Sequence, residues 1–406
     1  MTKLKGNLVV GQSGGPTAVI NHSVCGVVQE AMHYGEIHEI YGMHHGIQGF
    51  LQDDLFDLRK ETPAIIEGLR RTPSAALGSC RYKLQKGDIE KILHLCQAYN
   101  IRYFLYAGGG DTMDTVHQLS QAAAGHNYEI RCVGVPKTID NDLGVTDHCP
   151  GFGSAARFEV VTCMEIVRDT LALRYTETVK ILETMGRNTG WLTASTALAG
   201  DYAPDLIYLP ERAFDLDRFV GDVERVYRLK GNVVIAACEN LKYANGAYVA
   251  INEDALNVDA FGHPEPGGIG HFLTNLVIKE LRLKTRYEKP GTMQRCSGRN
   301  VSPVDSQEAY QVGKDAVSWA VQGHHGFMVT LERQTDAPYR CTTGMAPLEQ
   351  VANVEKGMPE AYIHPDGTFV TDDFLAFARP LIGQDLPDYI TLAGYPVEKP
   401  RIRSRP

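Results

Sequence analysis

An α/β architecture with two packed lobes and mainly parallel sheets is expected from three features of the chain: its length, its composition, and a recurring succession of apolar run, glycine-bearing loop and helical stretch. At 406 residues the chain exceeds what one hydrophobic core usually organises. Its 43% hydrophobic and 22% charged residues match an ordinary globular protein and exclude a disordered scaffold. The succession opens with Leu8-Val9-Val10, which runs into Gly11-Gln12-Ser13-Gly14-Gly15-Pro16 and then an amphipathic helix from about Thr17 to Tyr34. It recurs where Arg102 to Tyr106 leads into Gly108-Gly109-Gly110-Asp111-Thr112 and a helix from Met113 to Ala124. A third copy joins Ile130–Val135 to Pro136-Lys137-Thr138-Ile139-Asp140-Asn141-Asp142. Strands that end in polar loops of this kind imply a parallel sheet with a site at its carboxyl edge.

A second set follows Pro150-Gly151-Phe152-Gly153. It comprises a helix from about Ser154 to Tyr175, a strand Val179–Glu183 and the loop Met185-Gly186-Arg187-Asn188. Next come an apolar run Asp205–Leu209, a helix near Asp217–Leu229 and a strand Asn232–Cys238 ending at Glu239. With no Pro/Gly/Ser-rich linker between the sets, the chain is expected to form two packed Rossmann-like lobes with the active site in the cleft between them. Residues beyond about 345 carry no motif.

Forty Lys plus Arg against 49 Asp plus Glu leave a formal charge of −9, which opposes attraction to nucleic acid. A phosphate ligand must then be held by a local site. The nine cysteines are odd in number and lack CxxC or metal-ligand spacing, so they are expected to be reduced packing residues. A leader pattern and a membrane-length apolar run are both missing from these residues, which leads one to expect a cytoplasmic protein without a membrane partner.

Candidate chemistry gathers at the strand-ending loops. The Gly14-Gly15 turn lets backbone N–H groups approach an anion at a helix N-terminus, although the same pair also serves a purely steric turn; no Lys-Ser or Lys-Thr follows to make it a P-loop. Asp111 suits either a helix cap or a metal that bridges phosphate oxygens. Lys137, Thr138, Asp140 and Asp142 are the densest set: mutual repulsion raises one carboxyl pKa while Lys137 lowers it, and the group suits proton abstraction beside a neutralising cation. The alternative there is an Asx-rich turn with a solvated lysine. Arg187 offers a fork for phosphate and Glu239 an acceptor for sugar hydroxyls; taken singly, each also reads as a surface charge. Arg282, Lys284, Arg286, Lys289 and Arg295 form a basic string, and the histidines show no ligand pattern.

Together these loops resemble the 6-phosphofructokinase family, and within it the diphosphate-dependent branch. The matching stretches are Gly11–Asn21, Ala76–Arg81, Gly108–Thr115, Pro136–Asp142, Met185–Asn188 and Pro290–Arg295, in family order over roughly three quarters of the chain. The resemblance implies that Asp140 is the general base on the sugar 1-hydroxyl, with Lys137 and Arg187 also catalytic. Thr138, Asp142, Met185, Gly186, Arg187, Glu239 and Arg295 would hold fructose 6-phosphate, and Arg286 would reach its 6-phosphate from a neighbouring subunit. Gly14, Arg81, Asp111 and Lys137 would surround diphosphate, with Asp111 as the ligand for Mg²⁺. In the ATP-dependent branch the positions of Asp111 and Lys137 are commonly glycine, which leaves room for a nucleotide. The implied activity is reversible phosphoryl transfer from diphosphate to fructose 6-phosphate by a homodimer or homotetramer. Residues 1–150 with about 294–345 would form the donor lobe, 151–293 the sugar-phosphate lobe, and 346–406 a segment of unassigned role.

Several positions depart from the family pattern. Gly110 stands where an acidic or amide residue is usual, the position where many relatives carry an arginine for the 6-phosphate falls near Thr178 with Lys180 close by, Thr292 stands where His or Tyr is common, and Asn240 where Gly is commoner. An ATP-dependent phosphofructokinase or a kinase of a related sugar phosphate such as sedoheptulose 7-phosphate is the alternative within enzymes, and Gly110, Thr178 and Thr292 motivate another, a noncatalytic sugar-phosphate-binding regulatory subunit.

Overall fold

The computed structural model describes residues 4–250 and 268–397. The remaining parts of the expected lobes and terminal segment, 1–3, 251–267 and 398–406, lie outside the described residues. In chain order the strands are β1 (Gly6–Gln12), β2 (Ile37–Met43), β3 (Leu55–Asp57), β4 (Ile101–Gly108), β5 (Arg131–Pro136), β6 (Val179–Thr184), β7 (Leu206–Tyr208), β8 (Val233–Cys238), β9 (Thr285–Glu288), β10 (Phe327–Asp336) and β11 (Tyr339–Pro347). They form a seven-stranded sheet, ordered β11-β10-β5-β4-β1-β2-β3, and a four-stranded sheet, ordered β7-β8-β6-β9. The smaller sheet is parallel throughout; in the larger, only the edge strands β3 and β11 run antiparallel to their neighbours. The two-lobed, mainly parallel architecture expected from the loops is therefore present.

The strand interiors explain why these sheets hold. In β4 the segment Tyr103-Phe104-Leu105-Tyr106-Ala107 is buried on both faces, as a central parallel strand covered by helices must be. Truncating Phe104, which is fully buried, to alanine would cost about 3–5 kcal/mol. Helices Ile20–Ala31 and Pro303–Gln322 cross at close range on one face. A Cβ on Gly26 would come within 2.2 Å of the Tyr310 carbonyl oxygen, and one on Gly313 within 2.1 Å of that of Ser23. Two glycines thus set the interhelical distance.

Helix limits differ slightly from expectation. The first helix spans Ile20–Ala31 rather than Thr17–Tyr34, because Thr17 turns its hydroxyl onto the Val19 N–H at 3.4 Å and the residues before Ile20 stay in the loop. The others run Gly110–Gly125, Phe152–Ala172 and Leu216–Lys230. The motif-free terminal segment is structural. Phe374, Phe377, Leu381 and Ile382 share a core with Phe152, Trp191 and Leu198, while Leu348 and Val351 join the core under β4. All nine cysteines are free and seven are buried. Among the described residues, no helix is long and apolar enough to cross a membrane.

Candidate active site

The loops at the carboxyl ends of β1, β4 and β5 meet those after β6, β8 and β9 around a cavity of about 450 Å³ between the sheets. Parallel strands make this unavoidable, since every strand delivers its following loop to the same edge. The cavity is lined by Gly14, Arg81, Asp111, Lys137, Thr138, Asp140, Asp142, Met185, Arg187, Glu239 and Arg295. It brings together residues up to roughly 280 positions apart in the chain, as tertiary folding of six loops requires.

On the larger sheet, Lys137 is 5% exposed and donates through Nζ to the Gly15 carbonyl at 2.9 Å. Gly14 has φ +73, and a Cβ on it would stand 3.2 Å from that same ammonium. A Cβ on Gly15 would lie 2.9 Å from Arg295 Nη1. The glycine pair therefore admits two cations to the loop, beyond making the turn. Asp111 sits in the first turn of its helix, where the positive end of the peptide dipoles favours a carboxylate, and its side chain is exposed to the cavity.

The β5 loop is pinned at both ends. Lys137 N–H donates to the Gly108 carbonyl at 3.1 Å and Thr138 N–H to that of Pro150 at 3.2 Å. Thr138 Oγ1 accepts from the Asp140 N–H at 3.1 Å, and the Asp140 carbonyl accepts from Thr189 Oγ1 at 2.9 Å, which ties the loop to the other lobe. Burial, reinforced by Asp142 and Glu239, raises the Asp140 carboxyl to about 7 against the pull of Lys137 and Arg187. Burial likewise lowers Lys137 to about 8, against the attraction of Asp142 and Asp140. A carboxyl and an ammonium that both titrate near neutrality suit proton transfer beside a switchable cation.

From the smaller sheet, Met185 N–H donates to Gln294 Oε1 at 2.8 Å and Gly186 N–H to Glu239 Oε1 at 3.3 Å. Asn240 Nδ2 donates to the Arg187 carbonyl at 2.7 Å, so the Asn240 departure has a structural role in holding the Arg187 loop. Burial pushes the Glu239 carboxyl up. Lys289, known from the sequence only as a member of the basic string, also lines the cavity, 2.7 Å from Glu183. The signal for it was positional: β9 pairs in register with β6, so the residue after Glu288 emerges beside the Met185 loop.

Other candidates lie elsewhere. Gly186 supports the wall without lining it. Arg286 pairs with Lys180 in register, toward the opposite end of β6, and its guanidinium is 2.7 Å from Glu177. Thr178 is at that same end, where buried Lys180 is 2.9 Å from Asp169. Five cations, Arg81, Lys137, Arg187, Lys289 and Arg295, thus converge with four carboxylates, Asp111, Asp140, Asp142 and Glu239. Burial, with the nearby Arg81 guanidinium adding to it, depresses the Arg295 pKa. Like charges held together this way mark a site for a polyanion.

Comparison with known proteins accords with this geometry. A family model described as Phosphofructokinase matches residues 7–320. A pyrophosphate–fructose 6-phosphate 1-phosphotransferase of Xanthomonas campestris pv. campestris (strain B100) is 42% identical over 97% of this chain and 98% of its own. A sulfofructose kinase of Alkalicoccus urumqiensis is 33% identical over 88% of this chain and 91% of its own. The crystal structure of a pyrophosphate-dependent phosphofructokinase from Nitrosospira multiformis superposes with a TM-score of 0.86 at 39% identity, covering 95% of this chain and 94% of that one. With matching motifs, matching architecture and near-complete coverage, the chain belongs to the phosphofructokinase family.

Proposed function

We propose that the chain reversibly transfers a phosphoryl group from diphosphate to the 1-hydroxyl of fructose 6-phosphate, giving fructose 1,6-bisphosphate and phosphate. The observation that carries this reading is the Lys137 ammonium, buried against the Gly15 carbonyl, with Asp111 lining the same cavity. Those side chains fill space that a nucleotide would need and offer a small polyanion one buried cation.

In this reading Gly14, Arg81, Asp111 and Lys137 form the diphosphate site. Thr138, Asp142, Met185, Gly186, Arg187, Glu239 and Arg295 hold the sugar phosphate, with Arg286 serving a neighbouring copy in a homodimer or homotetramer. Asp140 accepts the proton of the 1-hydroxyl as its oxygen bonds to the nearer phosphorus. The bridging P–O bond breaks in line, and the departing phosphate carries its electron pair away. Lys137 and Arg187 stabilise the charge on the transferring and leaving oxygens. Residues 1–150 with about 294–345 act as the donor lobe and 151–293 as the sugar-phosphate lobe. Mg²⁺ fits the donor set: Asp111 presents an exposed carboxylate to the cavity, and Asp142 has a buried Oδ1 without a protein partner. Bound there with diphosphate, the cation would neutralise phosphoryl oxygens.

The test is the initial rate with fructose 6-phosphate and Mg²⁺, supplying diphosphate or ATP separately and detecting fructose 1,6-bisphosphate through aldolase. Diphosphate-only turnover, reversed by fructose 1,6-bisphosphate plus phosphate, is the expected result. Turnover with ATP alone would remove the donor assignment, and no turnover with either would favour a noncatalytic subunit. Parallel arms with sedoheptulose 7-phosphate and a 6-sulfonated fructose check the acceptor, because the position where many relatives carry an arginine for the 6-phosphate falls near Thr178.

A further inference from the structure

We infer that Glu355 and Lys356, in the terminal segment to which no motif assigns a role, are a pair of positioning residues that set the separation of the two loops facing each other across the cavity. This inference rests on the functional reading above. Residue 355 bridges Leu143 in antiparallel fashion, and Lys356 N–H donates to the Asp142 carbonyl at 2.7 Å. One residue of the segment is thus hydrogen-bonded directly to the end of the Asp140 loop. Lys356 Nζ then donates to the carbonyls of Thr146 and Asp147 at 2.9 and 2.8 Å, with its ammonium 5.5 Å from the Trp191 ring centroid. Burial lowers its pKa against the attraction of Cys149, Asp147 and Asp142, so the two carbonyl contacts are what hold the ammonium in place.

The turn that Lys356 grips is itself immobilised. Thr146 Oγ1 accepts from the Leu331 N–H at 2.9 Å, and buried His148 contacts Asp147 through Nδ1 and Glu308 through Nε2, both at 2.7 Å. Lys356 therefore ties the Asp142 end of the catalytic loop to a fixed part of the larger sheet. Its neighbour acts on the other side: Asn188 Nδ2 donates to Glu355 Oε1 at 2.9 Å and Oε2 at 3.2 Å, and Asn188 follows Arg187 directly. Two consecutive residues of one strap thus hold the base-bearing loop and the sugar-phosphate loop. Productive transfer needs those loops in register to well under 1 Å, since misplacement of about that size costs roughly 100-fold in rate.

The two contacts predict opposite kinetic signatures in the full-length protein. Lys356→Met keeps the backbone bond to the Asp142 carbonyl but releases that end of the Asp140 loop from the Thr146–Asp147 turn, and should lower kcat by about 30-fold while KM for fructose 6-phosphate changes by less than about twofold. Lys356→Arg, which keeps a donor for the two carbonyls, should recover most of that loss. Glu355→Ala frees the Arg187 loop and should raise KM for fructose 6-phosphate about threefold with kcat preserved. Wild-type constants in both variants, or one common pattern of loss in both, would overturn the strap. If Lys356→Met does not fold, exposed Glu355 decides alone, an unchanged KM in Glu355→Ala being the refuting result. The unmodified chain is assayed alongside: if it uses no diphosphate, the functional reading fails and takes the strap with it, whereas an active parent with unaltered variants removes the strap only.

Discussion

Replacing Lys137 by methionine should change both the rate and the shape of its pH dependence. The side chain is 5% exposed, so methionine fills its volume without a large cavity while deleting the ammonium. Loss of one charge-assisted hydrogen bond to diphosphate is worth ~1.5–3 kcal/mol, or roughly 10- to 150-fold in kcat/KM. In the proposed mechanism Asp140 acts as base only when deprotonated, so the rate should rise with pH through about 7. In the same mechanism Lys137 binds diphosphate only when protonated, so the rate should fall as pH passes about 8. The expected parent profile of kcat/KM for diphosphate is a narrow bell whose limbs belong to the coupled cluster. Without Lys137 the falling limb disappears. The rising limb moves to higher pH, because Asp140 loses a cation that favours its charged form. Initial rates measured from about pH 5.5 to 9.5 test both effects. A variant that keeps the falling limb, or loses less than about threefold in kcat/KM, would refute the placement of diphosphate at Lys137.

Asp140→Asn preserves shape but not basicity and should lower kcat by about 10²- to 10⁴-fold, with KM for fructose 6-phosphate nearly constant; a steady-state assay reads both. Asp111→Gly combined with Lys137→Gly should open the donor end and yield ATP turnover that the parent lacks, and failure to gain any would show that these side chains do not exclude the nucleotide. Gly15→Ala places a methyl where Arg295 Nη1 now sits at 2.9 Å, so it should reduce kcat/KM about tenfold through displacement of that guanidinium, while circular dichroism shows an intact fold. Glu159 is fully buried with neither carboxylate oxygen partnered, and burial raises its pKa well above the ordinary value. A raised folded-state pKa favours the native chain below the unfolded value and costs stability as pH rises, so Glu159→Met should gain ~1–3 kcal/mol near pH 8 and less near pH 5. Thermal melts at the two pH values check the sign.

The sequence was most legible where backbone grammar and chemistry coincide. Strand-ending loops at Gly14, Asp111, Asp140 and Arg187 announce themselves through glycine and polar residues after apolar runs, and parallel strands then bring them to one edge. Strand β10 is a different case. It completes the larger sheet beside β5 through only Phe327↔Val133 and Met328↔Gly134, a pairing between residues far apart that no local pattern encodes. The terminal helix with Phe374 and Phe377 likewise shows apolar residues but not which core they enter. At the site, the sequence sets Asp142 against Lys137 in a contest over the Asp140 pKa; burial, a property of the folded cavity, decides it upward. Lys289 and Asn240 required the register of the smaller sheet before either had a place.

The reciprocal glycine contact between helices Ile20–Ala31 and Pro303–Gln322 has a consequence for how the protein is made. The first helix leaves the ribosome roughly 270 residues before the surface that covers it, a delay of ~15–55 s at ~5–20 residues per second. Throughout that interval Val24, Val27 and Val28 lack Val312, Ala316 and Val317, their partners in the finished core. The smaller lobe is translated in the meantime but waits longer still, because the face of its sheet that carries Leu182, Ile207 and Val234 shares a core with Phe374, Phe377 and Leu381 of the terminal segment. Both lobes are therefore begun early and completed late, and the helix Ile20–Ala31 keeps its apolar face uncovered for most of synthesis.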